Sequence, residues 1–278
     1  MTKHNTVTGK PGSVVTPDGT SIAYSLYESA ADLPRLVLVH SLAMDRHFWD
    51  PVVTALAPEA SIAAIDARGH GLSGKPGTPF TVELFAHDVR VLVDSLGWKN
   101  VVIAGASMGG CVALQFAADY PELTRGAGLI DTTAWYGETA PADWNARAER
   151  ALKDGLAALL DFQKTRWFSE AFRAEHPEVV QQCIDTFLKN DVNAFAATAR
   201  MLGSYDGRSV LGKITAPTAV IVGEEDYAAT PAMARVLHEG IKGSTLTEIP
   251  AARHLTPLET PTVIVDHLRR LLAGAQRA

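Results

Sequence analysis

Short apolar runs alternate with longer amphipathic stretches over most of this chain. The runs fall at 36–39, 62–65, 101–104, 126–130, 218–222 and 246–249, each about as long as a buried strand. Between them Phe85, Val89, Leu92, Val93 and Leu96 recur at helical spacing, and so do Ile264, Val265, Leu268, Leu271 and Leu272. That alternation predicts a mostly parallel sheet flanked by crossover helices. Ahead of it, residues 13–16, a turn at Pro17-Asp18-Gly19 and residues 21–27 predict an antiparallel opening.

The alternation breaks between Asp131 and Thr215, where no strand-like run occurs. Helical patterns at 143–153, 177–189 and 191–202 fill the gap. In the second of these Val179, Val180, Cys183, Ile184, Phe187 and Leu188 make one apolar face. The expected organisation is an α/β core of residues 1–131 and 214–278 with an inserted helical cap, 132–213. The cap covers the C-terminal edge of the sheet, where open α/β sheets bind ligands. Trp135, Tyr136, Trp144, Phe162, Trp167, Phe168 and Phe172 gather in the cap and at its entry. Most are expected to seat the cap, and a few to line a pocket.

Charge and cysteine content narrow the classes. The net charge is −6, without a basic block, which argues against nucleic acid or an anionic membrane as the main partner. Residues 1–12 have no apolar signal-like stretch, and no run approaches a membrane span. Cys111 and Cys183 sit in no metal-binding spacing and read as buried thiols of a cytoplasmic protein. No metal and no cofactor is expected.

The chemistry centres on Gly105-Ala106-Ser107-Met108-Gly109, a G-x-S-x-G directly after a buried strand and before a helix. A sharp turn of this kind needs small neighbours and lifts the serine hydroxyl above the sheet. A serine needs a base to take its proton. Of nine histidines, His254, in a loop after the last strand, has the chain order Ser, acid, His. Asp226, straight after the run at 218–222, is the favoured acid. Glu225 is a neighbouring alternative, and Asp131, ending the preceding strand, is the main rival. The backbone N–H groups of Met108 and Leu42 are the expected oxyanion donors. His40, Ser41, Trp135, Tyr136, Trp167 and Phe168 are the expected pocket residues, although His40 also reads as structural.

With this turn, the Asp66-Ala67-Arg68-Gly69-His70-Gly71-Leu72-Ser73 segment and the tail from His254 through Leu258-Glu259 to Pro261, the chain resembles the α/β-hydrolases along its whole length. It is most similar to 3-oxoadipate enol-lactonases and small carboxylesterases, through His40-Ser41-Leu42-Ala43-Met44-Asp45 to Trp49 and through 166–172. The resemblance implies an α/β-hydrolase fold and a serine hydrolase that cleaves a small carboxylic ester or lactone through an acyl-enzyme. In those lactonases a cation follows the strand that ends here at Asp131. Trp135 stands in its place, so a more apolar substrate is expected unless Arg147, Arg166 or Arg200 supplies charge from the cap. Carbon–carbon bond hydrolysis, cofactor-free perhydrolysis and a ligand receptor that retains the triad are the alternatives.

Overall fold

A computed structural model describes residues 8–29, 33–77 and 79–276. Eight strands form one sheet: β1 (Lys10–Val15), β2 (Ser21–Tyr27), β3 (Arg35–Val39), β4 (Ser61–Ile65), β5 (Val101–Ala106), β6 (Thr124–Ile130), β7 (Thr218–Gly223) and β8 (Thr245–Ile249). Their order is β1-β2-β4-β3-β5-β6-β7-β8. β1 pairs with β2, and β2 with β4, in antiparallel fashion; every other pair is parallel.

Register decides where the chemistry can sit. Val39 pairs with both Ile65 and Gly105, Ala106 with Ile130, Ile130 with Ile221, and Gly223 with Ile249. The parallel strands therefore end along one line. The segments that follow them, starting at His40, Asp66, Ser107, Asp131, Glu224 and Pro250, all emerge at the same edge.

The helices of the core are α1 (Asp50–Leu56), α2 (Val82–Ser95), α3 (Met108–Asp119), α9 (Pro231–Gly240), α10 (Thr256–Glu259) and α11 (Pro261–Ala275). α11 runs along β5, β6 and β7 and packs on α1, whereas α3 runs along β3, β5 and β6 and packs on α2. Every residue of β5 and β7 is buried, which is why these strands read as unbroken apolar runs rather than alternating ones. Thr81 caps α2 by accepting the Leu84 N–H, a contact worth about 1 kcal/mol. Phe85, Val89, Leu92 and Val93 then face the core.

Between β6 and β7 the chain is helical: α4 (Ala140–Asp154), α5 (Leu160–Trp167), α6 (Glu170–Glu175), α7 (Pro177–Leu188) and α8 (Val192–Ser204). α4 packs along α8, and a Cβ at Gly203 would come within 2.8 Å of the Trp144 Cβ, so the glycine permits their close approach. Asp191 starts α8 by accepting the Asn193 and Ala194 N–H groups. α5 and α6 are additions to the three helices predicted for this region. The α5 segment LDFQKTRW has no continuous apolar face, and periodicity cannot find such a helix. A 3-10 segment, Arg208–Lys213, follows α8 and packs against α3 and α9 of the core. Among the described residues no helix is long and apolar enough to cross a membrane.

Candidate active site

Ser107 joins β5 to α3 with φ 55° and ψ −115°, a region that costs a non-glycine residue about 1–3 kcal/mol. The surroundings hold it there. Its N–H donates to Ile130 O at 2.9 Å, and its carbonyl accepts from the N–H groups of Gly110 and Cys111 and from Thr132 Oγ1. The flanking glycines are steric requirements. A Cβ at Gly105 would lie 1.9 Å from Gly109 O, and one at Gly109 2.1 Å from Val39 O. Backbone stands on the far side in both cases, and no rotamer change relieves the clash.

His254 lies in the loop after β8. With a proton on Nδ1 it donates to Asp226 Oδ2 at 2.7 Å, leaving Nε2 to accept from the Ser107 hydroxyl at 2.9 Å. The second carboxylate oxygen of Asp226 accepts the Ala228 and Ala229 N–H groups at 2.7 and 3.0 Å. All three side chains are nearly buried, so the chain of hydrogen bonds runs in a low-dielectric setting. The histidine loop is tied to the cap. Leu255 N–H donates to Trp167 O at 3.0 Å, and the Arg253 guanidinium donates to Thr165 O at 2.7 Å.

The other acids have different partners. Glu225 pairs with Arg253. Asp131, fully buried, accepts from Thr256 N–H and Oγ1 at 2.9 and 2.8 Å. Burial first, and then the charge of Asp226, raises its pKa well above the usual carboxylate range and favours its neutral form. Among the described residues its Oδ1 has no hydrogen-bond partner of ordinary geometry.

Beside the serine, the Ser41–Ala43 turn brings Leu42 to the cavity, with Ala43 at φ 59°. Among the described residues neither the Leu42 nor the Met108 N–H donates to a protein acceptor. Asn190, which the sequence pattern did not single out, donates from Nδ2 to Ala43 O at 2.8 Å and to two carbonyls at the end of α7. It thereby ties the cap to this turn.

A narrow cavity of about 20 Å³ lies between the serine and the cap, lined by Ser41, Leu42, Ser107, Tyr136, Trp144, Arg147, Gln163, Arg166, Trp167, Ala228 and His254. Ser41, Tyr136 and Trp167 line it, whereas His40, Trp135 and Phe168 do not. His40 is wholly buried behind the turn: its Nδ1–H donates to Ser41 O and its Nε2 accepts the Ala67 N–H. Burial lowers its pKa. Trp135 bridges to Asp206 and lies under the Arg208 guanidinium at 3.7 Å. Phe168 is buried against Phe172, ring centroids 4.9 Å apart. The indole expected to replace a cation is outside the cavity, and two arginines are inside it. Two wider clefts along Met44–His47 and α7 are lined by neither Ser107 nor His254. Among the described residues no three His, Cys, Asp or Glu side chains are grouped to hold a metal ion.

Comparison with known proteins agrees with this architecture. The profile of a family described as the alpha/beta hydrolase fold matches residues 34–261. The chain is 29% identical over 247 residues to 3-oxoadipate enol-lactonase 2 of Acinetobacter baylyi, covering 89% of this chain and 91% of the relative. The crystal structure of the enol-lactonase from Burkholderia xenovorans LB400 superimposes with a TM-score of 0.89 at 30% identity, over 94% of this chain and 100% of that one. A thermophilic esterase from Thermogutta terrifontis follows with a TM-score of 0.88 at 27% identity, over 96% and 99%. A sheet of this order, a strained serine turn at its edge and a profile match across most of the chain lead to one conclusion: the protein belongs to the α/β-hydrolase family.

Proposed function

We propose that the protein is a serine hydrolase of carboxylic esters or lactones that works through Ser107, His254 and Asp226. The observation that carries this reading is the continuous hydrogen-bond chain from the Ser107 hydroxyl through both ring nitrogens of His254 to Asp226. The names of its relatives, enol-lactonases and an esterase, support the same reaction class.

As His254 Nε2 takes the hydroxyl proton, Ser107 Oγ bonds to the substrate carbonyl carbon. The carbonyl oxygen becomes an oxyanion and is held by the Leu42 and Met108 N–H groups. The bond to the alcohol or enol oxygen then breaks, and His254 returns the proton to that leaving oxygen. Water, deprotonated by His254, attacks the acyl-enzyme, and the carbon–Oγ bond breaks to release the acid as His254 returns that proton to Ser107 Oγ. Asp226 holds the imidazole tautomer and stabilises the imidazolium without taking the proton. The free, buried thiols of Cys111 and Cys183 suit a cytoplasmic setting.

The test is Ser107→Ala assayed on p-nitrophenyl butyrate. Turnover is expected to fall about a millionfold, to near background, with the circular dichroism spectrum unchanged. A folded variant that retains turnover overturns the assignment.

A further inference from the structure

The Leu42 N–H is aimed by the carbonyl on the other edge of its own peptide. In a planar trans peptide the C=O and the N–H point in opposite directions, and among the described residues no peptide bond is cis. The Ser41 carbonyl accepts from His40 Nδ1–H at 2.8 Å and from Met44 N–H at 3.1 Å. Two donors thus fix the plane of the Ser41–Leu42 peptide, and with it the direction of the Leu42 N–H. His40 acts from the core, its Nε2 accepting the Ala67 N–H at 3.0 Å. Met44 depends on the cap. Its N–H shares a peptide with the Ala43 carbonyl, and that carbonyl accepts from Asn190 Nδ2 at 2.8 Å. Asn190, the Ala43–Met44 peptide and the Ser41–Leu42 peptide therefore form one hydrogen-bonded chain. It starts in the cap and ends at a residue that lines the cavity beside Ser107.

The turn needs such a hold. Ala43 stands at φ 59°, a left-handed conformation that a residue with a Cβ keeps only where its surroundings over-determine it. Asn190 is itself held firmly, in the short link between α7 and α8. Its Nδ2 also donates to Thr186 O at 2.9 Å and Phe187 O at 3.2 Å, and its N–H donates to Phe187 O at 3.3 Å. These are carbonyls near the end of α7, where a helix leaves acceptors open, and they orient the carboxamide toward the turn. The next residue, Asp191, caps α8. Bonds from Leu255 N–H to Trp167 O and from Ser169 N–H to Glu259 also join cap and core, but on the histidine side.

We propose that Asn190 is a positioning residue for the reaction: from the cap it holds the Ala43–Met44 peptide, and so keeps the Leu42 N–H aimed at the substrate carbonyl oxygen. This rests on the Ser107 reading above. The Met108 N–H, at the start of α3, belongs to the core and stays in place when Asn190 is changed. Loss of the carboxamide therefore misaligns one of two donors. The effect grows as negative charge develops on the oxygen, and the ground-state complex is little affected.

The test is Asn190→Asp, which keeps the shape and turns a carboxylate toward three carbonyl oxygens. On p-nitrophenyl butyrate kcat is expected to fall about 10- to 100-fold, short of the loss of a whole donor, with KM within about twofold. Two ketone inhibitors separate positioning from a loosened cap. On a pentyl trifluoromethyl ketone Ser107 Oγ bonds to the carbonyl carbon, its proton passes to His254, and the ketone oxygen becomes an oxyanion. Pentyl methyl ketone binds without that step. The variant should bind the first about 10- to 100-fold more weakly and the second as the unmodified protein does. Equal weakening of both ketones overturns the proposal, and so does an unchanged kcat in the folded variant. If Asn190→Asp does not fold, Asn190→Ala is read by the same two ketones. Ser107→Ala separates the two claims. If that variant retains turnover, the Ser107 reading has failed and the role of Asn190 falls with it. If it is inactive while Asn190→Asp works like the unmodified protein, only the positioning role is lost.

Discussion

Arg68 and the cap pair Arg147 and Arg166 are the same side chain in opposite circumstances. Arg68 is wholly buried in the loop after β4. Its Nε and Nη2 donate to the two oxygens of Asp88 at 2.7 and 2.6 Å, and its Nη1 donates to Asp18 at 2.8 Å. Those bonds hold the Asp18 carboxyl well below the usual carboxylate range. Arg147 and Arg166 have rings beside them and, among the described residues, no acceptor. The acids repeat the contrast, since among the described residues Asp226 has partners for both oxygens whereas Asp131 has none for Oδ1. A buried charge with every valence satisfied is part of the scaffold or of a preorganised site. One left open is stable only with a ligand or in its neutral form.

The largest expected effect separates the two acids. Asp226→Asn should lower kcat on p-nitrophenyl butyrate about ten-thousandfold by presenting the wrong partner to the imidazole. Asp131→Asn, which keeps the size of the side chain and removes its charge, should leave the rate nearly unchanged. If the two losses proved equal, Asp131 would have to share the role given to Asp226.

A smaller effect separates the arginines. In urea unfolding, Arg68→Met should cost about 3–5 kcal/mol, because it strands the buried Asp88. The Arg147→Met/Arg166→Met double variant should move stability little in either direction. A loss as large as that of Arg68→Met would mean that the cap pair is scaffold after all.

The smallest effect is a slope with pH. His70 is buried beside His40, ring centroids 5.1 Å apart, and burial, then the charge of His40, depress its pKa from 6.5 to about 3. The unfolded chain binds a proton there that the folded chain refuses. Stability from this neutral pair is complete above the ordinary imidazole pKa and drains away as pH falls toward about 3. The melting temperature should drop between pH 7.5 and 5, and His70→Asn should flatten that drop. An equal slope in both proteins would remove His70 from the account.

How much of this was legible depended on how local the cause is. The serine turn could be read because its steric demands, glycines at 105 and 109 around Ser107, lie within five residues of one another. Chain order points to His254 and Asp226 as candidates, but the choice of Asp226 over Asp131 is a matter of which carboxylate reaches a ring nitrogen. Trp135 was expected in the pocket because of its place after β6, and its ring lies instead under Arg208, far along the chain. Helix α5, which carries Arg166 into the cavity, has no apolar stripe to announce it.

The layered α/β architecture, the sharp serine turn and a helical stretch between β6 and β7 can be read from the chain, since periodicity, glycine placement and strand length act over neighbouring residues. Only the tertiary structure decided which charges meet. Whether an arginine finds a carboxylate or is left facing the cavity depends on segments brought together by packing, and Coulomb energy at a few ångströms is invisible to spacing along a chain.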